Sequence, residues 1–223
     1  MDYYRIISDS YRGVGKSENE DGYIIIDETE YLLLGVFDGV GSARGAKDCV
    51  NHTIKFIQSV SRSYYDSGFF KLSEMMFDCN QSLLESEIYQ PYSTCVVVWI
   101  SKKRNNSIRF LALGDSRLYA VGNQYLSQLN EDDSAPYESN IITRYLGKKD
   151  LHFEDFAVVD YSESDSSMLL CTDGIYKQIS NLGEFHRVLN LKYMKCIKNG
   201  INRLINGINV DDATYILVRW RYV

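Results

Sequence analysis

Proline, tryptophan and histidine are what this sequence has least of: two prolines, two tryptophans and three histidines stand in 223 residues. With only 15 glycines beside them, the chain does not have the composition of a linker, a low-complexity tract or a disordered region. A long apolar run is also missing. Tyr31 to Phe37 and Cys95 to Ile100 are the longest, each about a third of the roughly 20 residues that a membrane-spanning helix needs. Asp2 and Ser8-Asp9-Ser10 stand where a secretory signal would place a basic residue and then an apolar stretch, so a cytoplasmic protein without a membrane partner is expected. Basic residues are outnumbered 24 to 30, for a net charge of −6, which argues against a nucleic-acid partner. The five cysteines, Cys49, Cys79, Cys95, Cys171 and Cys196, form no Cys-x-x-Cys pair, and no histidine stands at ligand spacing from them. Reduced packing cysteines are therefore expected, and neither a disulfide framework nor a zinc site.

What is present is core-forming material, 45% apolar residues with 13% aromatics, enough to fill one domain spanning residues 1–223. Residues 3–8, 22–27 and 31–37 read as strands. From Ala43, the spacing of Ala46, Cys49, Val50, Ile54, Ile57 and Val60 predicts a helix. A second helix follows from Phe69 through about residue 89, closed by Pro91. Strands at 93–101, 107–113, 117–121 and 124–129 form a meander, with Lys103–Ser107 and Gly122-Asn123 as turns. Further strands are expected at 156–161 and 167–172, then a helical region from Phe185 to Ile205 bent near Asn190, and a last strand from Ala213 to Tyr222. Runs of strands broken by helix pairs predict an α+β fold of antiparallel sheets covered by helices, not a doubly wound parallel sheet.

Several apolar strands share one feature, an Asp at the strand end beside a small or acidic residue. The segments are Asn19-Glu20-Asp21-Gly22, Phe37-Asp38-Gly39-Val40-Gly41, Leu113-Gly114-Asp115-Ser116-Arg117, Cys171-Thr172-Asp173-Gly174 and Val210-Asp211-Asp212-Ala213-Thr214. Each alone reads equally well as turn or capping chemistry. Converging together, such carboxylates repel and call for a cation. All-oxygen ligation suits Mg²⁺ or Mn²⁺, and the glycine after an Asp would let the backbone approach the ion.

The order Lys16-x-x-Asn19-Glu20-Asp21, Phe37-Asp38-Gly39-Val40-Gly41, Gly114-Asp115-Ser116-Arg117, Thr143-Arg144-x-Leu146-Gly147, Thr172-Asp173-Gly174 and Asp211-Asp212-x-Thr214 resembles the metal-dependent protein phosphatases. These are the type 2C serine/threonine phosphatases, and the resemblance is to their compact bacterial form. The resemblance implies a four-layer αββα sandwich, two antiparallel sheets flanked by helix pairs, with two Mn²⁺ or Mg²⁺ ions in a cleft at one end. It further implies that Asp38 bridges the ions, that the Gly39 carbonyl and Asp173 hold them, and that Asp211 completes one shell. Asp21 and Glu20 match the family's Glu-Asp pair, with Glu20 acting through water, and Asp115 with Asp173 would support a weaker third metal. The implied reaction is hydrolysis of phosphoserine or phosphothreonine in a phosphoprotein, opposing a protein kinase. A metal-bridging water attacks phosphorus directly, with no covalent intermediate.

This sequence departs from the family pattern in four places. Lys16 stands where the family has a phosphate-guiding Arg and reads either as its replacement or as a surface lysine; Lys offers a point charge in place of Arg's fork, with Arg12 or Arg44 as possible helpers. Val40 replaces the His found in many eukaryotic members, and His52 reads better as a surface or packing residue than as a substitute acid. Asp212 stands where Asn is usual. Leu129 to Ile142, an acidic stretch around Glu131-Asp132-Asp133, replaces a helical flap and reads as a reduced flap or a solvated loop.

Two other hydrolase readings fail on residues. Gly114-Asp115-Ser116 resembles a lipase-like Gly-Asp-Ser block, but no histidine has an Asp three positions before it. Six residues after the cysteines stand Lys55, Glu85, Ser101, Lys177 and Asn202, so no Cys-x5-Arg loop exists. The alternatives left open are a degenerate phosphatase fold that binds or regulates without activity, and a phosphatase of a non-protein phosphate ester.

Overall fold

A computed structural model describes residues 4–103, 107–135, 137–162 and 167–220. Its elements are strands β1 (Tyr4–Tyr11), β2 (Gly22–Asp27) and β3 (Tyr31–Gly39), helix α1 (Ala46–Val60), the short pair β4 (Tyr65–Asp66) and β5 (Phe69–Phe70), and helix α2 (Leu72–Leu84). A meander of β6 (Ser93–Ser101), β7 (Ile108–Leu113), β8 (Arg117–Val121) and β9 (Leu126–Gln128) follows, then the small hairpin β10 (Ser134–Ala135) and β11 (Glu138–Ile142). The chain continues through β12 (Val159–Tyr161), β13 (Ser167–Cys171), the single turn α3 (Asp173–Tyr176), α4 (Leu182–Leu189), α5 (Met194–Ile205) and β14 (Ala213–Trp220).

Two five-stranded antiparallel sheets, ordered β1-β14-β13-β8-β9 and β12-β7-β6-β3-β2, stack face to face. Successive side chains of a strand point to opposite faces. On β3, Leu32, Leu34 and Val36 meet Leu118, Met168, Leu170, Ile216 and Val218 of the opposite sheet. Tyr31, Leu33 and Phe37 point the other way, into Cys49, Val50, Ile57, Met75, Met76 and Leu83 of α1 and α2. On the far side, Phe185, Leu189, Ile197, Ile201 and Ile205 of α4 and α5 cover Tyr119, Leu169, Tyr215 and Leu217. The result is a helix, sheet, sheet, helix sandwich. Coverage on both faces explains why the central strands are continuous apolar runs, every residue of β6 being buried.

Neither α1 nor α2 has a side-chain N-cap hydrogen bond, so tertiary packing of the apolar stripe holds them more than local capping does. Both start later than the periodicity predicts, at Ala46 and Leu72, and α2 ends at Leu84, short of the expected 89. Phe69 and Phe70, expected in the helix, pair instead with Tyr65 and Asp66. The strand expected at 156–161 is confined to Val159–Tyr161, because Phe153–Phe156 forms a 3₁₀ turn. Within Leu129 to Ile142, expected as a reduced flap or a solvated loop, Ser134–Ala135 pairs antiparallel with Glu138–Ile142. Tyr3, the turn residues 104–106, and Arg221 and Tyr222 of the expected last strand lie outside the described residues. Four cysteines are buried, whereas Cys196 is exposed on α5 and is not a packing residue. Among the described residues no helix is long and apolar enough to cross a membrane.

Candidate functional site

The acidic strand ends of the two sheets meet at one end of the sandwich. One sheet contributes Asp21, just before β2, and Asp38, the penultimate residue of β3; the other contributes Asp173 after β13 and Asp211 before β14. Asp115 lies in the β7–β8 connection that crosses between the sheets. A cleft of about 220 Å³ is lined by Asp38, Gly39, Val40, Thr94, Asp115, Ile142, Asp173, Lys177 and Asp211 among others. The structure thus brings together five of the expected site residues, with Asp21 buried behind them at 3% exposure. Glu20 and Lys16 are not in the lining.

Glycines at the site serve backbone-to-backbone approach. A Cβ on Gly174 would stand 2.0 Å from the Asp212 carbonyl oxygen, and one on Gly39 would stand 2.9 Å from that of Glu20. The two positions therefore let the start of α3 and the end of β3 press against neighbouring main chain.

Burial dominates the electrostatics, because a carboxylate removed from water resists ionisation and its neighbours here are mostly anionic. It pushes the Asp21 carboxyl up to about 7, against hydrogen bonds from Thr172 and Thr214 that favour the charged form. Asp38 is raised well above the ordinary carboxylate range by burial and then by Asp21, Asp173, Asp115 and Asp211. Asp115 is raised by burial and by Asp173, with Lys177 opposing. Two buried oxygens, Asp21 Oδ1 and Asp173 Oδ1, have no hydrogen-bond partner. Such oxygens are costly unless something cationic meets them.

The other Asp21 oxygen, Oδ2, accepts from Thr172 Oγ1 at 2.8 Å, and Thr172 Oγ1 in turn accepts from the Thr214 amide at 2.9 Å. Asn19 Oδ1 accepts from the Asp21 amide at 2.9 Å. This chain of small polar residues, all within the motifs around the strand-end acids, ties the two sheets together behind the cleft.

Lys16 lies against three carboxylates: Asp211, which it contacts directly, Asp212 at 3.2 Å and Glu20 at 3.9 Å. Burial alone would lower its pKa, but hydrogen bonds and charge from Asp211 and Asp212 override that and hold the ammonium protonated. Asp212 is 1% exposed and accepts from the amides of Gly13 at 2.7 Å and Glu20 at 2.8 Å. The extra charge of Asp212 is therefore balanced by Lys16, and together they fasten the 13–20 loop to the last strand. Arg12 donates to the Ser17 carbonyl, and Arg44 lines a separate surface groove with Asp48, Glu87 and Tyr89. His52 Nε2 bonds Ser82 Oγ at 2.8 Å between α1 and α2, the packing role expected of it.

The acidic segment before the hairpin is pinned in place, not freely solvated. Asp132 takes a two-pronged contact from Arg117, and Asp133 accepts from Arg144 Nε at 2.8 Å and from the Gly114 amide at 3.0 Å. Ile142 at the end of the hairpin reaches the cleft.

Among the described residues no three His, Cys, Asp or Glu side chains stand close enough together to form a ready-made cage. Two ammonium groups engage the cleft carboxylates, Lys16 on Asp211 and Lys177 on Asp173 and Asp115. The donor set is nonetheless all oxygen, and the unpartnered oxygens of Asp21 and Asp173 beside Asp38, a carboxyl whose ionisation a cation would favour, fit a pair of hard divalent cations. Lys177 was not marked by sequence motifs. Its spacing of four from Asp173 along a helical turn was the one available signal.

The cleft at the end of this αββα sandwich is lined by carboxylates. Residues 13–202 match the family described as Protein phosphatase 2C, and the chain belongs to that family. A serine/threonine phosphatase of S. agalactiae is similar in fold, with a TM-score of 0.80 and 20% identity, covering 98% of this chain and 100% of that one. Serine/threonine phosphatase Stp1 from Staphylococcus aureus gives a TM-score of 0.77 and 20% identity over 98% of this chain and 95% of that chain. RsbX in complex with magnesium gives 0.73 and 16% over 99% and 97%.

Proposed function

We propose that the chain is a metal-dependent protein serine/threonine phosphatase, one catalytic domain over residues 1–223 acting on a phosphoprotein in the cytoplasm against a protein kinase. The observation that carries this reading is the pair of buried, unpartnered oxygens on Asp21 and Asp173 beside Asp38, whose ionisation burial and like charge oppose. Membership of the Protein phosphatase 2C family supports it, as does a fold relative solved in complex with magnesium. Two Mn²⁺ or Mg²⁺ ions, held by Asp21, Asp38, the Gly39 carbonyl, Asp173 and Asp211 with Glu20 acting through water, would neutralise the phosphate oxygens and make water nucleophilic at neutral pH.

The chain's own residues do the rest. Asp38, on the rigid end of β3, fixes the centre, and Thr172 fixes Asp21 through its Oδ2. Val40, at the cleft wall, has no ionisable proton to give the departing serine or threonine alkoxide. A thiol nucleophile is disfavoured, since burial raises the pKa of Cys95 and Cys171 well above the ordinary thiol range. Direct attack by water, without a covalent intermediate, fits that environment. Lys16 lies outside the cleft lining with its ammonium on Asp211; guiding an incoming phosphate would require it to turn from that carboxylate to the substrate.

The lack of a ready-made cage among the described residues favours a second reading, a phosphatase fold that binds without turnover. One experiment separates the two. Phosphate release from a phosphoserine or phosphothreonine peptide is measured with Mn²⁺ and with chelator, for the native chain and Asp38→Asn. Release by the native chain with Mn²⁺ only, lost in the variant, is expected. Equal release in all four conditions, or none in any, defeats the proposal, and release from a small phosphate ester but no peptide redirects it to non-protein substrates.

A further inference from the structure

We infer that Lys177 takes the place of a third metal ion, so that this centre binds two divalent cations and has a covalently tethered ammonium as its third cationic group. The inference rests on the two-metal reading above. The family resemblance leads to the expectation that Asp115 and Asp173 share a weaker third cation. In this chain the Lys177 ammonium stands between those carboxylates, 2.6 Å from Asp173 Oδ2 and 3.5 Å from Asp115 Oδ2, and all three residues line the same cleft.

The placement is built into the backbone. The Lys177 amide donates to the Asp173 carbonyl at 2.9 Å, closing one helical turn, and residues four apart on such a turn share a face. The turn is held from its other side. Tyr176 Oη donates to the Asp115 carbonyl oxygen at 3.0 Å, and the Arg117 guanidinium lies 3.6 Å from the centre of the Tyr176 ring. Asp115 and the turn bearing Lys177 are thus fastened to each other independently of the ion pair.

The two oxygens of Asp173 are also divided. Oδ2 is committed to Lys177, while Oδ1 is buried without a partner. One carboxylate therefore serves the internal ammonium with one oxygen and leaves the other for the two-cation centre. A further divalent ion between Asp115 and Asp173 would have to displace a covalently tethered ammonium, and beside it would meet direct charge repulsion. Lys177 acts here as a positioning residue, holding Asp115 and Asp173 without touching the reacting atoms.

The test is a count of metal ions. Purified full-length chain is titrated with Mn²⁺, and bound ions per chain are read by equilibrium dialysis and by the loss of free-ion electron paramagnetic resonance signal. The native chain is expected to saturate at two, Lys177→Met to gain a third, weaker ion, and Lys177→Arg, which keeps the charge, to remain at two. The Lys177 side chain is 48% exposed, so its truncation opens no core cavity, and a thermal melt verifies folding. If Lys177→Met nevertheless fails to fold, Lys177→Gln takes its place in the count. Three ions in the native chain, or two in the neutral variant, overturns the inference. Fewer than two in the folded native chain defeats the two-metal reading on which it stands, an outcome distinct from either.

Discussion

Removing divalent cations should make this protein less stable as pH rises from about 4 to about 7, and restoring them should abolish the trend. Asp21, 3% exposed, has its carboxyl pushed from 3.8 up to about 7, and Asp38 is raised in the same direction. Between those values the unfolded chain has released the proton and the folded chain retains it. Folded-state binding of more protons means that stability is full below the unfolded value and is lost as pH climbs through the folded one. At about 1.4 kcal/mol for each pH unit of separation, Asp21 alone sets a loss on the order of 4 kcal/mol. For a chain of this size that corresponds to a fall in Tm on the order of 10 °C. His52 cannot produce the trend: burial lowers its pKa, which makes its contribution rise with pH. The assay is a thermal melt at several pH values from 4.5 to 8, in chelator and in Mn²⁺, for the native chain and Asp38→Asn. The variant loses one of the clustered charges, so its profile in chelator should be flatter. A native Tm in chelator that is constant or rises over this range, or that falls equally with Mn²⁺ present, would refute the argument that burial and like charge dominate the cleft.

Two further outcomes follow from named contacts. Lys16→Ala should raise KM for a phosphopeptide with kcat largely kept if Lys16 guides phosphate; it should also cost about 1–3 kcal/mol in a denaturant melt, because the buried Asp212 loses a charged partner. An unchanged KM with the stability loss intact would leave Lys16 only its role as the counter-ion of Asp212. Gly174→Ala places a Cβ 2.0 Å from the Asp212 carbonyl oxygen, main chain that no rotamer change can move. It should destabilise by about 2–3 kcal/mol or more, and a melt within a few tenths of the native value would show that the two strand ends are not pressed together.

The sandwich and its cleft were legible to different depths. The runs in β3 and β6 announce strands buried on both faces, and the strand-end acids Asp21, Asp38, Asp115, Asp173 and Asp211 could be picked out because each is marked by its immediate neighbours. Helix limits were blurred by Phe69 and Phe70, whose apolar spacing continues the α2 stripe while their backbone pairs with Tyr65 and Asp66. The 134–142 hairpin was missed because its strands carry no clear alternation and its anchors, Arg117 and Arg144 on Asp132 and Asp133, come from outside the segment.

Local order along the chain was enough to determine the succession of the sheet strands and the long helices, and which carboxylates end strands, since hydrophobic period and turn chemistry act over a few residues. Only the tertiary structure decided what those carboxylates meet. Asp21 finds Thr172 across 151 positions and Lys16 finds Asp212 across 196. Whether Lys177 faces Asp115 depends on how one helical turn is fastened to a loop 62 residues earlier. Charge interactions follow distance in space and the exclusion of water, and neither is set until the two sheets close on each other.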